Sequence, residues 1–206
     1  MPLSRGAHGP PKGADCWVGR RDLLEWLEAP DPDLRRRAVR LLAVRGGETA
    51  AFCRRLFREE SPAVRDALFT ALVEGADAEA VRCLLGLLRR EDPALRSGAV
   101  EALQQLPGHF AEHVDELRGD PDPQVRHRLV EVLRDLPHTA VPQWILGLVL
   151  EESDPTVCAA ALDCLGEVGE PGMAVELQDL SRRFPGEHLV AFAAEEAVRR
   201  LEGRER

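Results

Sequence analysis

One recurring dipeptide fixes most of what this chain can become. Asp31-Pro32, Ser61-Pro62, Asp92-Pro93, Asp122-Pro123 and Asp154-Pro155 follow one another at intervals of 30, 31, 30 and 32 residues. An Asp or Ser side chain accepts a hydrogen bond from the unpaired N–H groups at a helix start. A Pro at the first helical position has no N–H to leave unpaired. Each pair therefore predicts a helix N-terminus, and the regular spacing predicts a repeat.

The residues after each Pro share one pattern. It reads Leu34-Arg35-x-x-Ala38, Val64-Arg65-x-x-Leu68, Leu95-Arg96-x-x-Ala99, Val125-Arg126-x-x-Leu129 and Val157-Cys158-x-x-Ala161, with a degenerate sixth copy at Val190, Ala194, Ala197 and Val198. A second helix precedes each Pro. Six residues back stand Trp26, Leu56, Leu87 and Leu117; nine back, Leu23, Cys53, Leu84 and Val114; twelve back, Ala50, Val81 and Ala111. The fifth unit supplies Val141, Ile145 and Leu148. Spacings of three and four put these residues on one helical face. A hairpin of about 30 residues cannot bury a core alone, because units below about 40 residues rarely fold. Stacked hairpins can. The class that follows is all-α: a right-handed α-solenoid of about five to six two-helix repeats. Residues 21–206 form one repeat domain, and residues 1–20, rich in Gly and Pro, form a flexible tail.

These D-P-x-[VL]-R-x-x-[AL] copies resemble the HEAT repeat family, in the short bacterial form also seen in phycobilisome-lyase-type proteins. The resemblance covers about residues 22–202. It implies that Arg35, Arg65, Arg96 and Arg126 join the Asp residues of neighbouring units in a ladder of hydrogen bonds, which Cys158 interrupts. It also implies a protein-interaction scaffold, or an assembly or accessory factor, that binds a protein partner on its concave face without catalysis of its own. Two alternatives come with the family: a chromophore-handling, lyase-like protein and a DNA-binding or DNA-repair protein. HEAT-repeat hydroxylases with a di-iron site carry His-Glu dipeptides. Here the order is reversed, at Glu112-His113 and Glu187-His188.

Charge bears on the nucleic-acid alternative. Residues 1–103 carry 17 basic and 16 acidic side chains, and residues 104–206 carry 10 and 20. An acidic second half argues against a partner that tracks the whole chain through phosphates. All but one of the 27 basic residues are Arg, Asn and Tyr are absent, and Ile145 is the only Ile. That bias points to a GC-rich bacterial genome. The sequence contains neither a membrane-length apolar run nor the apolar core of a signal peptide, which predicts a cytoplasmic protein with no membrane role. Five cysteines without a C-x-x-C are expected to be reduced and mostly buried.

His109-Phe-Ala-Glu112-His113 matches H-x-x-E-H, in which two His four apart could share a metal on one helix. Pro107-Gly108 places His109 at the start of a short helix, so the stretch reads as a solvated polar face, and no metal or cofactor is expected. The partner site is expected on the face of each preceding helix opposite its core stripe, the face taken to line the concavity. That face offers Arg54, Arg55, Arg58, Arg82 and Arg89 in units two and three. Glu112 and Glu116 follow in the fourth, then Gln143, Trp144, Leu146 and Leu150 in the fifth. A partner would anchor its apolar part near Trp144 and Leu146 and its basic part at the two glutamates. The protein would act as a monomer or within a hetero-complex. The degenerate last unit is expected to bury Val190, Phe192, Ala194, Ala197, Val198 and Leu201.

Overall fold

The structure is a computed structural model that describes residues 18–177 and 180–203. Among these, every element is a helix and no strand occurs. In order they are α1 (Arg20–Leu27), α2 (Pro32–Arg45), α3 (Thr49–Leu56), α4 (Pro62–Gly75), α5 (Ala78–Leu87), α6 (Pro93–Gln104), α7 (Pro107–Ala111), α8 (Val114–Arg118), α9 (Pro123–Arg134), α10 (Val141–Glu151), α11 (Pro155–Val168) and α12 (His188–Gly203). Two 3-10 segments, Pro171–Leu177 and Leu180–Arg183, precede α12. The fold class is the expected all-α repeat architecture. The expected flexible tail lies, up to residue 17, outside the described residues. The chain divides into two compact units, Met1–Cys83 and Leu84–Arg206.

Each Asp/Ser-Pro pair starts a helix, as its chemistry requires. Asp31, Asp92, Asp122 and Asp154 accept from N–H groups of their own first turns, at 2.9 to 3.3 Å. Ser61 makes no such side-chain bond. Just before this helix, Glu59 Oε1 accepts from the Ser61 and Glu60 N–H groups at 2.9 and 3.1 Å.

In the first unit, α2 packs on α1 and α4, and α3 packs on α4. Leu23, Leu27, Ala38, Leu42, Leu56, Val64 and Leu68 are fully or almost fully buried there. Each buried Leu or Val contributes roughly 1.5–3 kcal/mol. Leu34 and Trp26, expected in the stripe, are half-buried, and Arg37 lies over the Trp26 ring at 5.7 Å. In the second unit, α6 packs on α9, α9 on α11 and α11 on α12, with α8 and α10 behind them. The α11–α12 pairing is close. Gly166 has Ala197 Cα 3.3 Å from where its Cβ would stand, and a Cβ at Gly169 would lie 2.9 Å from Leu201.

The arginine ladder exists, but its acids are different ones. Arg126 grips Glu152 with two hydrogen bonds of 2.7 Å. Arg35 does the same with Glu59, at 2.8 and 2.6 Å. Both acids stand three residues before a Pro. The N-cap Asp side chains are engaged by their own helix N–H groups, which is why the ladder passes them by. Each ladder arginine also donates to the carbonyl three residues before its own Pro: Arg35 to Ala29, Arg65 to Glu59, Arg96 to Arg90 and Arg126 to Asp120. Cys158 was expected to leave a break. Instead Arg183, from the second 3-10 segment, donates to the equivalent Glu152 carbonyl at 2.6 Å and to Val149 O at 3.0 Å.

Burial pushes the Glu59 carboxyl up. Hydrogen bonds from Arg35, Arg55 and the Ser61 N–H outweigh it and hold Glu59 at about 2. Glu152 shows the same opposition: burial raises it, while Arg126 and two backbone N–H groups bring it below its ordinary value.

Candidate partner-binding surfaces

The residues expected to meet a partner lie on the helices that precede each Pro or, for Arg58, Arg89 and Glu112, in the turns that follow a helix. In the first unit, Arg54 and Arg82 are exposed on α3 and α5. Arg58 is exposed and bonds Glu28 at 2.6 Å. Arg55 is drawn inward instead, with 13% of its side chain exposed, where it donates to Glu59 at 2.7 Å. It serves the ladder and is a poor contact for a partner.

In the second unit, Arg89 is ion-paired with Asp120. Glu112 and Glu116 are exposed, and Glu116 lies 3.6 Å from His113 Nδ1. Gln143 is exposed on α10, and Leu150 is 40% exposed. Leu146 and Trp144 are half-buried. The Trp144 ring stacks on His138, with centroids 4.6 Å apart and planes inclined by 22°. His138 is held in turn by the Ala140 N–H, which donates to its Nδ1 at 3.1 Å.

The H-x-x-E-H stretch does not form one helical face. α7 ends at Ala111 and α8 begins at Val114, so His109 lies in α7 while His113 lies in the interruption, as the residue just before α8. Among the described residues no group of three His, Cys, Asp or Glu side chains is arranged to hold a metal. No helix among them is long and apolar enough to cross a membrane.

Each unit also has a hollow, formed by the other helical layer, α2 and α4 in the first unit and α9, α11 and α12 in the second. In the first unit, α2 and α4 enclose about 550 Å³, with Arg36, Arg40, Asp66 and Glu74 among the lining residues. Val44, on its wall, is 89% exposed. In the second unit, α9, α11 and α12 enclose about 430 Å³. Its lining includes Ala159, Ala160, Ala193 and Ala197, the apolar side chains Leu189 and Phe192, and the polar groups His127, Asp163, Glu196 and Arg200. Leu189 and Phe192 are 56% and 63% exposed.

Phe192 was expected in the core. One turn of helix explains the difference: at about 100° per residue, Phe192 points roughly 200° from Val190. Val190, Ala194, Ala197 and Leu201 are the buried face of α12, so Phe192 cannot join them. The stripe 189, 192, 193, 196, 200 was readable from spacing alone, had two faces been assigned to α12.

The polar rim is charge-compensated. Arg200 donates to Asp163 at 3.0 Å, and Arg134 donates to Asp163 and Glu167 at 3.1 and 2.6 Å. Glu196 pairs with Arg199. Burial pushes Asp163 up, and the hydrogen bonds from Arg134 and Arg200 more than reverse it.

The profile of the family described as HEAT repeats matches residues 21–104 and 110–199. No curated protein matches the chain. Similar solved structures include the complex of CpcE and CpcF of phycocyanin lyase from Nostoc sp. PCC7120, 17% identical, covering 98% of this chain and 99% of that one, with a TM-score of 0.40. A designed armadillo repeat protein is 16% identical, over 89% of this chain and 100% of its own, with a TM-score of 0.39. An engineered protein is 18% identical, over 90% and 99%, with a TM-score of 0.39.

Proposed function

Because the chain belongs to the HEAT repeat family, we propose that it is a protein-interaction scaffold or assembly factor that holds a protein partner in the α9–α11–α12 hollow. The observation that carries this reading is the pair Leu189 and Phe192, large apolar side chains left exposed beside a floor of four alanines. Buried aromatic and aliphatic anchors dominate the energetics of protein interfaces, and exposed apolar patches often mark them. The alanine floor lets a partner's side chains approach the helices. The rim charges already satisfy one another, so the apolar contact supplies most of the affinity. We assign the chain no reaction of its own, and it acts as a monomer or within a hetero-complex.

A second surface, on α10, has its own support. Leu150 is exposed beside the stacked Trp144–His138 pair and the half-buried Leu146. Affinity capture from the source cell separates the two. The wild-type chain is compared with Phe192→Asp and Leu150→Asp, with helicity and melting temperature checked for each. A partner lost only by Phe192→Asp supports the α9–α11–α12 hollow. A partner lost only by Leu150→Asp moves the site to α10. A partner that both folded variants retain contradicts both placements.

A further inference from the structure

The hollow between α2 and α4 is lined by two rows of side chains of unlike charge. α2 supplies Arg36, Arg40 and Val44, and α4 supplies Asp66, Thr70 and Glu74. Within each row the residues are four apart, so they lie above one another on one helix face. The rest of the lining is apolar: Val39, Ala43, Ala63, Ala67 and Ala71. Arg40, Asp66 and Glu74 are exposed, and Arg36 is half-buried.

These four charges are unpaired. Among the described residues, the side chains of Arg36, Arg40, Asp66 and Glu74 enter no hydrogen bond or ion pair. The Thr70 hydroxyl donates to the Asp66 backbone carbonyl at 2.8 Å, which leaves the Asp66 carboxylate open. In the α9–α11–α12 hollow, by contrast, Arg200 and Arg134 already hold Asp163. Two arginines and two carboxylates make the α2–α4 hollow neutral as a whole but polarised across its width. A polyphosphate drawn to the arginines is repelled by the facing acids. An extended peptide brings backbone N–H and C=O groups that need partners, and the lining of valines and alanines has none to give. A helix arrives with those groups already satisfied.

We propose that the α2–α4 hollow docks a helix of a partner protein that is acidic along one flank and basic along the other. The acidic flank pairs with Arg36 and Arg40, and the basic flank with Asp66 and Glu74. Side chains four apart on the incoming helix match the rise of both rows. The alanines let its axis approach to about 8–10 Å, and Val44, 89% exposed, supplies an apolar contact at one end. Only one direction of the incoming helix matches both rows, so the charges set its orientation and its rate of arrival. This surface belongs to the first unit and does not depend on a partner at Leu189 and Phe192.

The test titrates three synthetic helical peptides into the full chain. Each has an alanine and leucine contact stripe. One is flanked by glutamates on one side and arginines on the other, one by arginines on both sides, and one by glutamates on both. The wild type should bind the mixed peptide at least about tenfold more tightly than the other two, with an affinity that falls as salt is added. Arg36→Glu with Arg40→Glu should shift the preference to the all-arginine peptide. Asp66→Arg with Glu74→Arg should shift it to the all-glutamate peptide. The second pair changes exposed residues only and decides the matter if the first fails to fold. Phe192→Asp should bind the mixed peptide as the wild type does, so this result is independent of the α9–α11–α12 site. No binding of the mixed peptide, or the same preference in wild type and reversed variants, would overturn the proposal. So would light scattering that shows each reversed variant monomeric alone and the two dimeric when mixed, because the groove would then belong to a second copy of the chain.

Discussion

Arg35 and Glu59 meet through two parallel hydrogen bonds, and the Glu59 side chain has no exposed surface. Arg55 donates to the same carboxylate, so one buried acid joins α2, α3 and the start of α4. Glu59→Ala removes the buried carboxylate from two arginines and leaves the Ser61 N–H without its acceptor. A loss of about 3–5 kcal/mol is expected, because removing one partner of a buried pair leaves a charge uncompensated. Urea unfolding measures it. A change below 1 kcal/mol would show that the pair does not hold the first unit together.

Acid should weaken the protein through the same residue. The folded-state Glu59 sits at about 2, against an ordinary 4.5. Its contribution is therefore complete above about pH 5 and is lost as the pH falls towards 2. The difference corresponds to about 3 kcal/mol. Glu152, Asp120 and Asp163 are lowered as well and act in the same direction. Denaturation midpoints measured between pH 6 and pH 2.5 should fall steeply, and less steeply in Glu59→Gln. Equal slopes for the two proteins would contradict the assignment.

Arg183 stands in for the ladder arginine that Cys158 replaces. Arg183→Ala should cost about 1–3 kcal/mol, since it leaves the Val149 and Glu152 carbonyls without their donor. Arg183→Lys should recover only part, because an ammonium lacks the planar fork that spans both oxygens. Thermal melts of the three proteins check the order. A lysine variant as stable as wild type would mean that charge alone suffices.

The caps differ from one another in a testable way. Asp122 and Asp154 bond their own helix N–H groups, whereas Ser61 does not. Asp122→Ala or Asp154→Ala should each cost about 1 kcal/mol. Ser61→Ala should cost less than half of that. Equal costs in denaturant unfolding would show that capping does not set these helix starts.

Helix starts and most core stripes were legible because their causes are local. A Pro, an N-cap and a spacing of three or four act within one turn. The ladder acids were not found, although Glu59 and Glu152 both stand three residues before a Pro. Their partners lie across repeats, so a pattern along one helix could not supply them. Arg183 was invisible for the same reason: it comes from a 3-10 segment after the last regular copy. The outward face of α12 was missed because Phe192 was assigned by its apolar character and not by its angle from Val190. The α10 residues came out of the sequence reading, whereas the α9–α11–α12 hollow emerged only once three helices were packed together.

The central claim is that a protein partner seats on Leu189 and Phe192. Its most direct test is calorimetric titration of the captured partner into the wild-type chain, Phe192→Asp and Leu150→Asp, each confirmed to be folded. The account predicts at least a tenfold rise in Kd for Phe192→Asp, equivalent to about 1.4 kcal/mol, and less than a twofold change for Leu150→Asp. A Phe192→Asp protein that binds as tightly as wild type would contradict it.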